Sequence, residues 1–177
     1  MRRIMVVGAS AGAGKSTFAR SLSKQLNIPV YHLDTFYWKP GWEEEDTQIF
    51  REKQQKIVGD EYWIIEGNYS STFDIRLEKA DTIIFLDQPL WVCLYRVFKR
   101  RVMYRKKSRP DLTEGCPEKI DFAFLSFIVR TYYPRKKKMR EKLQTFKDKS
   151  SSHQVYLLSG DTDTEKFLDK VHKGDVE

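Results

Sequence analysis

Residues 8–17, with the sequence GASAGAGKST, combine glycines, a lysine and hydroxyl groups in an order that suits phosphate binding. Glycines let the backbone curl until consecutive N–H groups point at phosphate oxygens, and a helix that begins there adds its positive N-terminal end. Lys15 would contact the β- and γ-phosphates of ATP, and the Ser16 hydroxyl would be a ligand of Mg²⁺. The residues expected to surround the phosphates are Ala11, Gly12, Ala13, Gly14, Lys15, Ser16 and Thr17.

This segment departs from the usual phosphate-binding pattern at its first glycine. In G-x-x-x-x-G-K-[ST] that glycine would fall at position 9, which is Ala9, whereas Gly8 stands one residue earlier. Either Ala9 adopts the conformation needed where the strand ends, or the loop is one residue longer than usual. A glycine- and alanine-rich turn without a ligand is the remaining interpretation, but such a turn leaves Lys15 without a role.

Three carboxylates follow apolar segments that resemble strands: Asp34, Glu66 and Asp87. In an open α/β sheet, ligands bind beyond the carboxyl ends of the strands. Asp34 would accept a proton from the hydroxyl of a phosphate acceptor, or orient it; a turn or helix cap is the alternative. Glu66 is the favoured acid for Mg²⁺, through a water beside Ser16, with Asp87 as the competing assignment. His32 is interpreted as a packed strand residue.

The order of elements along the chain predicts how these residues are positioned. Buried strands are predicted at 4–7, 30–33, 62–65, 82–86 and 155–158. Helices are predicted at 16–26, 47–58, 90–102, 118–146 (with a break at Pro134) and 164–171. Residues 35–45 are expected to form an irregular connection. Strands that alternate with helices predict an α/β fold of three layers, with a five-stranded parallel sheet, helices on both faces and a single domain over residues 1–177.

Basic residues are concentrated in two segments of a chain whose formal net charge is +7. Residues 95–109 hold eight basic residues and no acid, and residues 130–149 hold nine against two acids. Such local positive charge suits the phosphates of a nucleotide or of nucleic acid, or it stays solvated. Neither a long apolar run nor a signal peptide is found, so we expect a cytoplasmic protein without a membrane partner.

Several motifs together resemble a known group of proteins. They are the phosphate-binding segment, VYHLDTFYWKPGW, WIIEGNY, FDIRLEKADTIIFLD, the arginine-rich segment after it and RPDLTEGCPEK. Taken together they resemble the adenylate-kinase-like branch of the P-loop kinases. More closely, and over nearly the whole chain, they resemble the small bacterial P-loop proteins called DNA topology modulation proteins. The fold implied is that of nucleoside monophosphate kinases, with a small lid.

The resemblance also implies roles for individual residues. Glu66 takes the position of the Mg²⁺-associated acid. The spacing of Arg96, Arg100 and Arg101 is similar to that of the kinases' arginines that stack on adenine and contact the transferring phosphate, and Arg100 is the preferred arginine for the transition state. A lid is implied at about 102–117, with Arg105 and Arg109 facing the phosphates. Specificity for a nucleoside monophosphate does not carry over, because the Pro-Arg pair of those kinases is replaced here by Asn68 and Tyr69. Arg76 is assigned either an acceptor contact or a surface ion pair with Glu78 or Asp81.

Aromatic and basic residues elsewhere leave further alternatives. Phe36, Tyr37, Trp38 and Trp42 would form a stacking wall for a planar acceptor or pack on the core. The basic run 135–140, with Tyr132, Tyr133 and Phe146 as stacking residues, would bind nucleic acid or form a solvated helix face. Core positions are expected at Ile120, Phe124, Phe127 and Ile128.

Two hypotheses on function follow. The first is an ATP- and Mg²⁺-dependent kinase in which Lys15, Asp34, Arg96 and Arg100 serve catalysis on a small-molecule acceptor, such as a nucleoside or nucleotide. The second is an ATP-dependent switch that associates with DNA and phosphorylates little. A groove-reading motif is not found in the sequence, and the acceptor and oligomeric state are left open.

Overall fold

The computed structural model describes residues 1–104, 111–117 and 121–176. Its strands are β1 (Arg3–Gly8), β2 (Val30–His32), β3 (Trp38–Lys39), β4 (Glu43–Glu44), β5 (Trp63–Glu66), β6 (Thr82–Asp87) and β7 (Gln154–Ser159). Its α-helices are α1 (Lys15–Leu26), α2 (Leu33–Tyr37), α3 (Thr47–Val58), α4 (Phe73–Lys79), α5 (Leu90–Met103), α6 (Phe122–Lys149) and α7 (Gly160–Lys173). A 3₁₀ turn, Ser70–Thr72, precedes α4.

Five strands form a parallel sheet in the order β2-β5-β1-β6-β7, as the sequence predicts. The central strand is β1, and it pairs with β5 on one side and β6 on the other. Val6 is in register with Glu66, and Gly8 with Leu86. The carboxyl ends of β1, β2 and β5 therefore lie side by side, directly next to the loop that precedes α1.

Helices cover both faces of this sheet because its central strands are apolar on both sides. Odd-numbered residues of β1 such as Met5 pack with α3, α4 and α6, whereas even-numbered residues such as Ile4 pack with α1 and α7. Ile64 and Ile65 divide in the same way between the two clusters. The three-layer α/β architecture is thus confirmed.

Residues 35–45 are more regular than the sequence indicates. They contain most of α2 and a two-stranded antiparallel ribbon, β3–β4, which we call the acceptor hairpin. Gly41 and Trp42, at its turn, both have positive φ angles. Glu45 accepts hydrogen bonds from Lys53 and Lys39, and these bonds, Lys53 first, lower its pKa to about 2. The hairpin is thereby tied to α3.

One expectation about the helices is wrong, and one helix was not predicted. Pro134 does not break the helix that contains it, and α6 runs from Phe122 to Lys149. The carbonyl of Arg130, which a proline at 134 leaves without its helical partner, lies at an exposed position where water can bond it. The short helix α4 was not predicted, because seven residues give little periodicity. In the described part of the chain, no helix has the length and apolar character that crossing a membrane requires.

Candidate active site

The loop between β1 and α1 has the backbone geometry of a phosphate cradle. Gly12 and Gly14 have φ angles of 80° and 89°, which residues other than glycine adopt at a cost. A Cβ atom at Gly12 would lie 2.2 Å from the carbonyl oxygen of Cys93, so only glycine fits there. Gly14 caps α1, and among the described residues no side-chain cap bonds the start of this helix. These N–H groups and the helix dipole therefore face the cavity next to Lys15.

Ala9 is accommodated without strain. Among the described residues, only Asn27 and Trp42 combine a side chain with a positive φ angle, so Ala9 has an ordinary backbone conformation. Its N–H donates to the carbonyl of Leu86 at 3.1 Å. The crowded position is Gly8, where a Cβ would lie 3.1 Å from the Lys15 side chain. The geometry favours the first of the two explanations for the displaced glycine.

Lys15, Ser16 and Glu66 meet where β5 ends beside the start of α1. The Ser16 hydroxyl donates to Glu66 Oε2 at 3.1 Å, and Lys15 Nζ lies 3.9 Å from Glu66 Oε1. Lys15 also donates to the carbonyl of Ser10 at 3.3 Å. His32 Nδ1 lies 3.0 Å from Glu66 Oε2, so this histidine, which the sequence analysis assigned to packing, contacts the candidate metal acid. A hydroxyl beside a buried carboxylate is the kind of oxygen donor set that suits Mg²⁺.

Asp87 is placed elsewhere, and the competing assignment is not supported. Its carboxylate lies 2.7 Å from Lys136 Nζ and 2.8 Å from Arg140 Nη2, both on α6. It lines a second, smaller cavity rather than the one that contains Ser16. The two acids end different strands on opposite sides of β1, and only β5 brings its acid to Ser16.

A cavity of about 1380 Å³ extends from this loop to the acceptor hairpin. Its volume exceeds the roughly 300–1,000 Å³ of typical small-molecule sites, so it can hold two ligands. Its lining includes Lys15, Ser16 and Arg96 beside the phosphate-binding loop, together with Asp34 of α2 and Trp42 of the acceptor hairpin. The other described residues that line it include Gly12, Tyr37, Trp38, Glu66, Asn68, Tyr69, Phe73, Arg100, Phe127, Arg135, Lys138 and Lys142.

Asp34 lies in α2, directly after β2, and faces this cavity. The Tyr69 hydroxyl donates to Asp34 Oδ1 at 2.7 Å. Burial, followed by the charge of Asp34, raises the pKa of Tyr69 well above its usual value, so Tyr69 stays protonated and keeps donating. Asn68 fixes the preceding part of the same loop, because its side-chain amide exchanges two hydrogen bonds, at 2.9 and 3.0 Å, with the backbone of Gly8.

The aromatic residues after β2 divide between the two interpretations. Phe36 packs against the core, and Tyr37 both packs on Phe50 and lines the cavity. The rings of Trp38 and Trp42 meet edge to face, 5.2 Å apart, and both line the cavity. The stacking wall expected from the sequence is therefore reduced to two tryptophans supported by Tyr37.

Arg96 and Arg100 of α5 both line the cavity, and Arg96 lies beside the phosphate-binding loop. Arg96 Nη2 lies 2.6 Å from Asp161 Oδ2, and Arg96 Nη1 would be 3.3 Å from a Cβ at Gly14. Of the arginines assigned to the lid, Arg105 and Arg109 lie outside the described residues, so their roles stay predictions. Described residues 111–117 contact the acceptor hairpin, where Gly41 N–H donates to the carbonyl of Gly115 at 3.0 Å.

Both expectations for Arg76 are wrong. This side chain is fully buried and forms no surface ion pair. Its guanidinium donates to the carbonyls of Gly67 and Tyr69, each at 2.8 Å. Burial lowers its pKa to about 10. Arg76 therefore holds the loop between Glu66 and Tyr69 rather than a ligand, and no pattern in the sequence distinguishes such a buried arginine from an exposed one.

The residues of α6 are also not arranged as expected. Tyr132 and Phe146 are buried and cannot stack on bases, whereas Tyr133 is exposed. Phe127, expected in the core, is 46% exposed and lines the cavity together with Phe124, and only Ile128 of that set is buried. Ile120 lies outside the described residues. The basic run is not one solvated face, because its members face two different cavities.

Comparison with known proteins identifies the fold. No protein-family model and no curated protein sequence matches the chain. A shikimate kinase from Acinetobacter baumannii, solved in complex with shikimate, is 18% identical with a TM-score of 0.52, over 100% of this chain and 96% of that one. A gluconokinase from Sinorhizobium meliloti 1021 is 14% identical with a TM-score of 0.54, over 98% of this chain and 90% of that one.

A shikimate kinase from Bacteroides thetaiotaomicron is 18% identical with a TM-score of 0.52, over 97% of each chain. These likenesses, together with the sheet order, show that the chain has the fold of P-loop kinases. At such identities the fold is all that they establish, and the DNA topology modulation family is not shown.

Proposed function

We propose that this protein transfers the γ-phosphate of ATP to a hydroxyl group of a small molecule, with Mg²⁺ as cofactor. The observation that carries the proposal is one continuous cavity that is lined both by the phosphate cradle with Lys15 and by Asp34. Phosphoryl transfer needs donor and acceptor held in line with their charges neutralised, and such a cavity suits that requirement.

On the nucleotide side, each residue has a task that its position allows. The amides from Ala11 to Thr17 bind the phosphate oxygens, and Lys15 neutralises their charge. Arg96 and Arg100 approach from α5, where planar guanidinium groups stack on a base or bind phosphate in a forked geometry. Ser16 would hold Mg²⁺ directly and Glu66 would do so through a water. Bound Mg²⁺·ATP supplies the phosphoryl group and an ion that stabilises charge on it.

On the acceptor side, Asp34 orients the acceptor hydroxyl and accepts its proton. The hydrogen bond from the Tyr69 hydroxyl to Asp34 Oδ1 holds this carboxylate in position. Trp38 and Trp42 contact the acceptor's apolar surface and keep water away from the reacting atoms. We also propose that the chain is one domain with a lid at about 102–117 and that it acts in the cytoplasm.

The proteins with similar folds support this proposal, because they include a shikimate kinase in complex with shikimate and a gluconokinase. The contacts of α6 do not favour the second hypothesis, a DNA-associated switch. Its stacking residues Tyr132 and Phe146 are buried, and Lys136 and Arg140 are paired with Asp87.

The experiment is a panel of nucleosides, nucleotides, sugars and small acids incubated with ATP·Mg²⁺, with detection of ADP and of a new phosphoester. Lys15→Ala should lower transfer by at least about 10²-fold, because a cation at the transferring phosphate is lost. Lys24→Ala is the matched control, since Lys24 is an exposed residue of the same helix. Unchanged transfer in Lys15→Ala, with circular dichroism showing a folded protein, would contradict the proposal.

A further inference from the structure

Helix α6 presents three cations to the cavity. Arg135, Lys138 and Lys142 follow one another at helical spacings of three and four residues, so they share one face of the helix. All three line the cavity that contains Asp34. Phe124 and Phe127 continue the same face toward the helix N-terminus.

Arg135, Lys138 and Lys142 differ from neighbouring basic residues of α6 because they do not pair with a carboxylate of the described residues. Lys136 and Arg140 are bound to the Asp87 carboxylate on another face of the helix. Within the described ranges, no carboxylate forms an ion pair with Arg135, Lys138 or Lys142. Two of the three lie on aromatic rings instead.

One of those rings, Phe73, places Lys142 on the side of Tyr69 and Asp34. The Arg135 guanidinium lies 4.5 Å from the centroid of Phe127, and Lys142 Nζ lies 4.2 Å from that of Phe73. Phe73 begins α4, directly after the loop that carries Tyr69 to Asp34. The cations of the nucleotide side, Lys15 and Arg96, come from other helices.

Such a gathering of like charges is unfavourable by itself. The pKa of Lys142 is lowered by burial first and by the charge of Lys138 next, and burial lowers the pKa of Arg135. A cavity wall that carries charges of one sign concentrates the positive electrostatic field of these side chains. An anion that binds there relieves the repulsion between the cations and replaces the water that they lose on burial. The Asp34 carboxylate does not neutralise these cations, since within the described residues none of the three forms an ion pair with it.

We propose that the phosphate acceptor carries an anionic group, a phosphate or a carboxylate, that binds to Arg135, Lys138 and Lys142 while its hydroxyl lies at Asp34. The proposal rests on the proposed function and names its class of acceptor. Guanidinium and ammonium groups at these spacings bind an anion through charge-assisted hydrogen bonds. Trp38 and Trp42 then contact the part of the acceptor that lies between its anionic group and its hydroxyl.

A two-stage calorimetric titration tests the anion site. The protein is first saturated with AMP-PNP·Mg²⁺, a non-hydrolysable ATP analogue that occupies the phosphate cradle, and is then titrated with inorganic phosphate and, separately, with malonate as a dicarboxylate. We expect the wild type to bind at least one of them, and Arg135→Gln/Lys138→Gln to lose at least about tenfold in affinity for it. The anion that binds more tightly shows whether the site prefers a phosphate or a carboxylate group.

Lys137→Gln is the matched control, because Lys137 is as exposed as Arg135 but lines neither of the two cavities and lies about 200° around the helix from Arg135. It should bind the anion like the wild type. Absence of anion binding by the AMP-PNP-saturated wild type, or equal weakening by Lys137→Gln, would overturn the proposal. Loss of AMP-PNP affinity in Arg135→Gln/Lys138→Gln would also overturn it, because the cations would then serve the nucleotide.

Measurements of turnover test the anion site separately from the kinase activity. Acceptor pairs that differ only in the anionic group are compared, such as AMP with adenosine and glycerol 3-phosphate with glycerol. The anionic member should be preferred, and Arg135→Gln/Lys138→Gln should raise its KM by about tenfold with kcat nearly unchanged, as expected for lost binding shared by ground and transition states. Equal use of the neutral member overturns the anion site but leaves the kinase standing, whereas failure of AMP-PNP to bind refutes the kinase itself.

Discussion

The two ends of the cavity are built in different ways. The phosphate cradle of the nucleotide end comes from one continuous stretch, residues 8–17, whose internal contacts join residues a few positions apart, such as Lys15 to the carbonyl of Ser10. Only single side chains, such as Glu66, are added to it from other elements. The acceptor end is assembled from α2, the acceptor hairpin, the loop after β5 and α6, which meet only when the sheet has formed. Short-range geometry can be recognised in a sequence, whereas a wall made of distant segments depends on the tertiary structure.

The largest expected effect is at the nucleotide end, with Gly12→Ala. The new Cβ would lie 2.2 Å from the Cys93 carbonyl oxygen, and the residue must keep a φ of 80°. Crowding costs about 1–3 kcal/mol and the left-handed backbone about 1–2 kcal/mol, unless the loop changes shape. A loop that changes shape no longer cradles phosphate. We expect ATP affinity by calorimetry to fall by more than about 10²-fold.

Gly174→Ala is the control for backbone strain alone. Gly174 has a φ of 77°, with no atom within 4 Å of its Cβ position, and it ends α7 away from the cavity. It should lower the free energy of unfolding by about 1 kcal/mol in urea denaturation and leave ATP affinity unchanged. ATP binding by Gly12→Ala with wild-type affinity would show that the loop is not the cradle described here.

The same contrast explains what the sequence could and could not predict. The parallel sheet and the loop at 8–17 follow from apolar segments and from glycine spacing, both of which act locally. The positions of Arg76 and of the cations of α6 could not be predicted in this way. In the sequence, an arginine that bonds the carbonyls of Gly67 and Tyr69 cannot be distinguished from a surface arginine, because these bonds form only when the loop folds around it. His32 was missed for the same reason, since its contact with Glu66 lies between neighbouring strands.

The next largest effect concerns the choice between Glu66 and Asp87, which end strands on opposite sides of β1. Glu66→Gln should reduce phosphate transfer by about 10²-fold and raise the Mg²⁺ concentration that gives half-maximal rate, because a carboxylate beside Ser16 is lost. Asp87→Asn should leave the Mg²⁺ dependence unchanged, since its partners are Lys136 and Arg140. A shifted Mg²⁺ dependence in Asp87→Asn alone would reverse the assignment.

The smallest effect is expected at Arg76, and it concerns positioning at the acceptor end. Arg76→Met keeps an apolar stem but leaves the carbonyls of Gly67 and Tyr69 without their donors, which should lower the free energy of unfolding by about 2–3 kcal/mol in urea denaturation. Because Tyr69 orients Asp34, the acceptor KM should rise by up to about tenfold while ATP affinity stays within about twofold of the wild type.

Arg51→Gln is the matched control for Arg76→Met, because Arg51 also bonds a carbonyl on this side, that of Ser71, and pairs with Asp74. Its partner Asp74 is largely exposed, so the pair contributes less than about 1 kcal/mol and the acceptor KM should not change. If Arg76→Met weakened ATP binding as much as acceptor binding, the two ends of the cavity would not be independent. The contrast between a locally built nucleotide end and an assembled acceptor end would then fail, since the loop from Glu66 to Tyr69 would serve both.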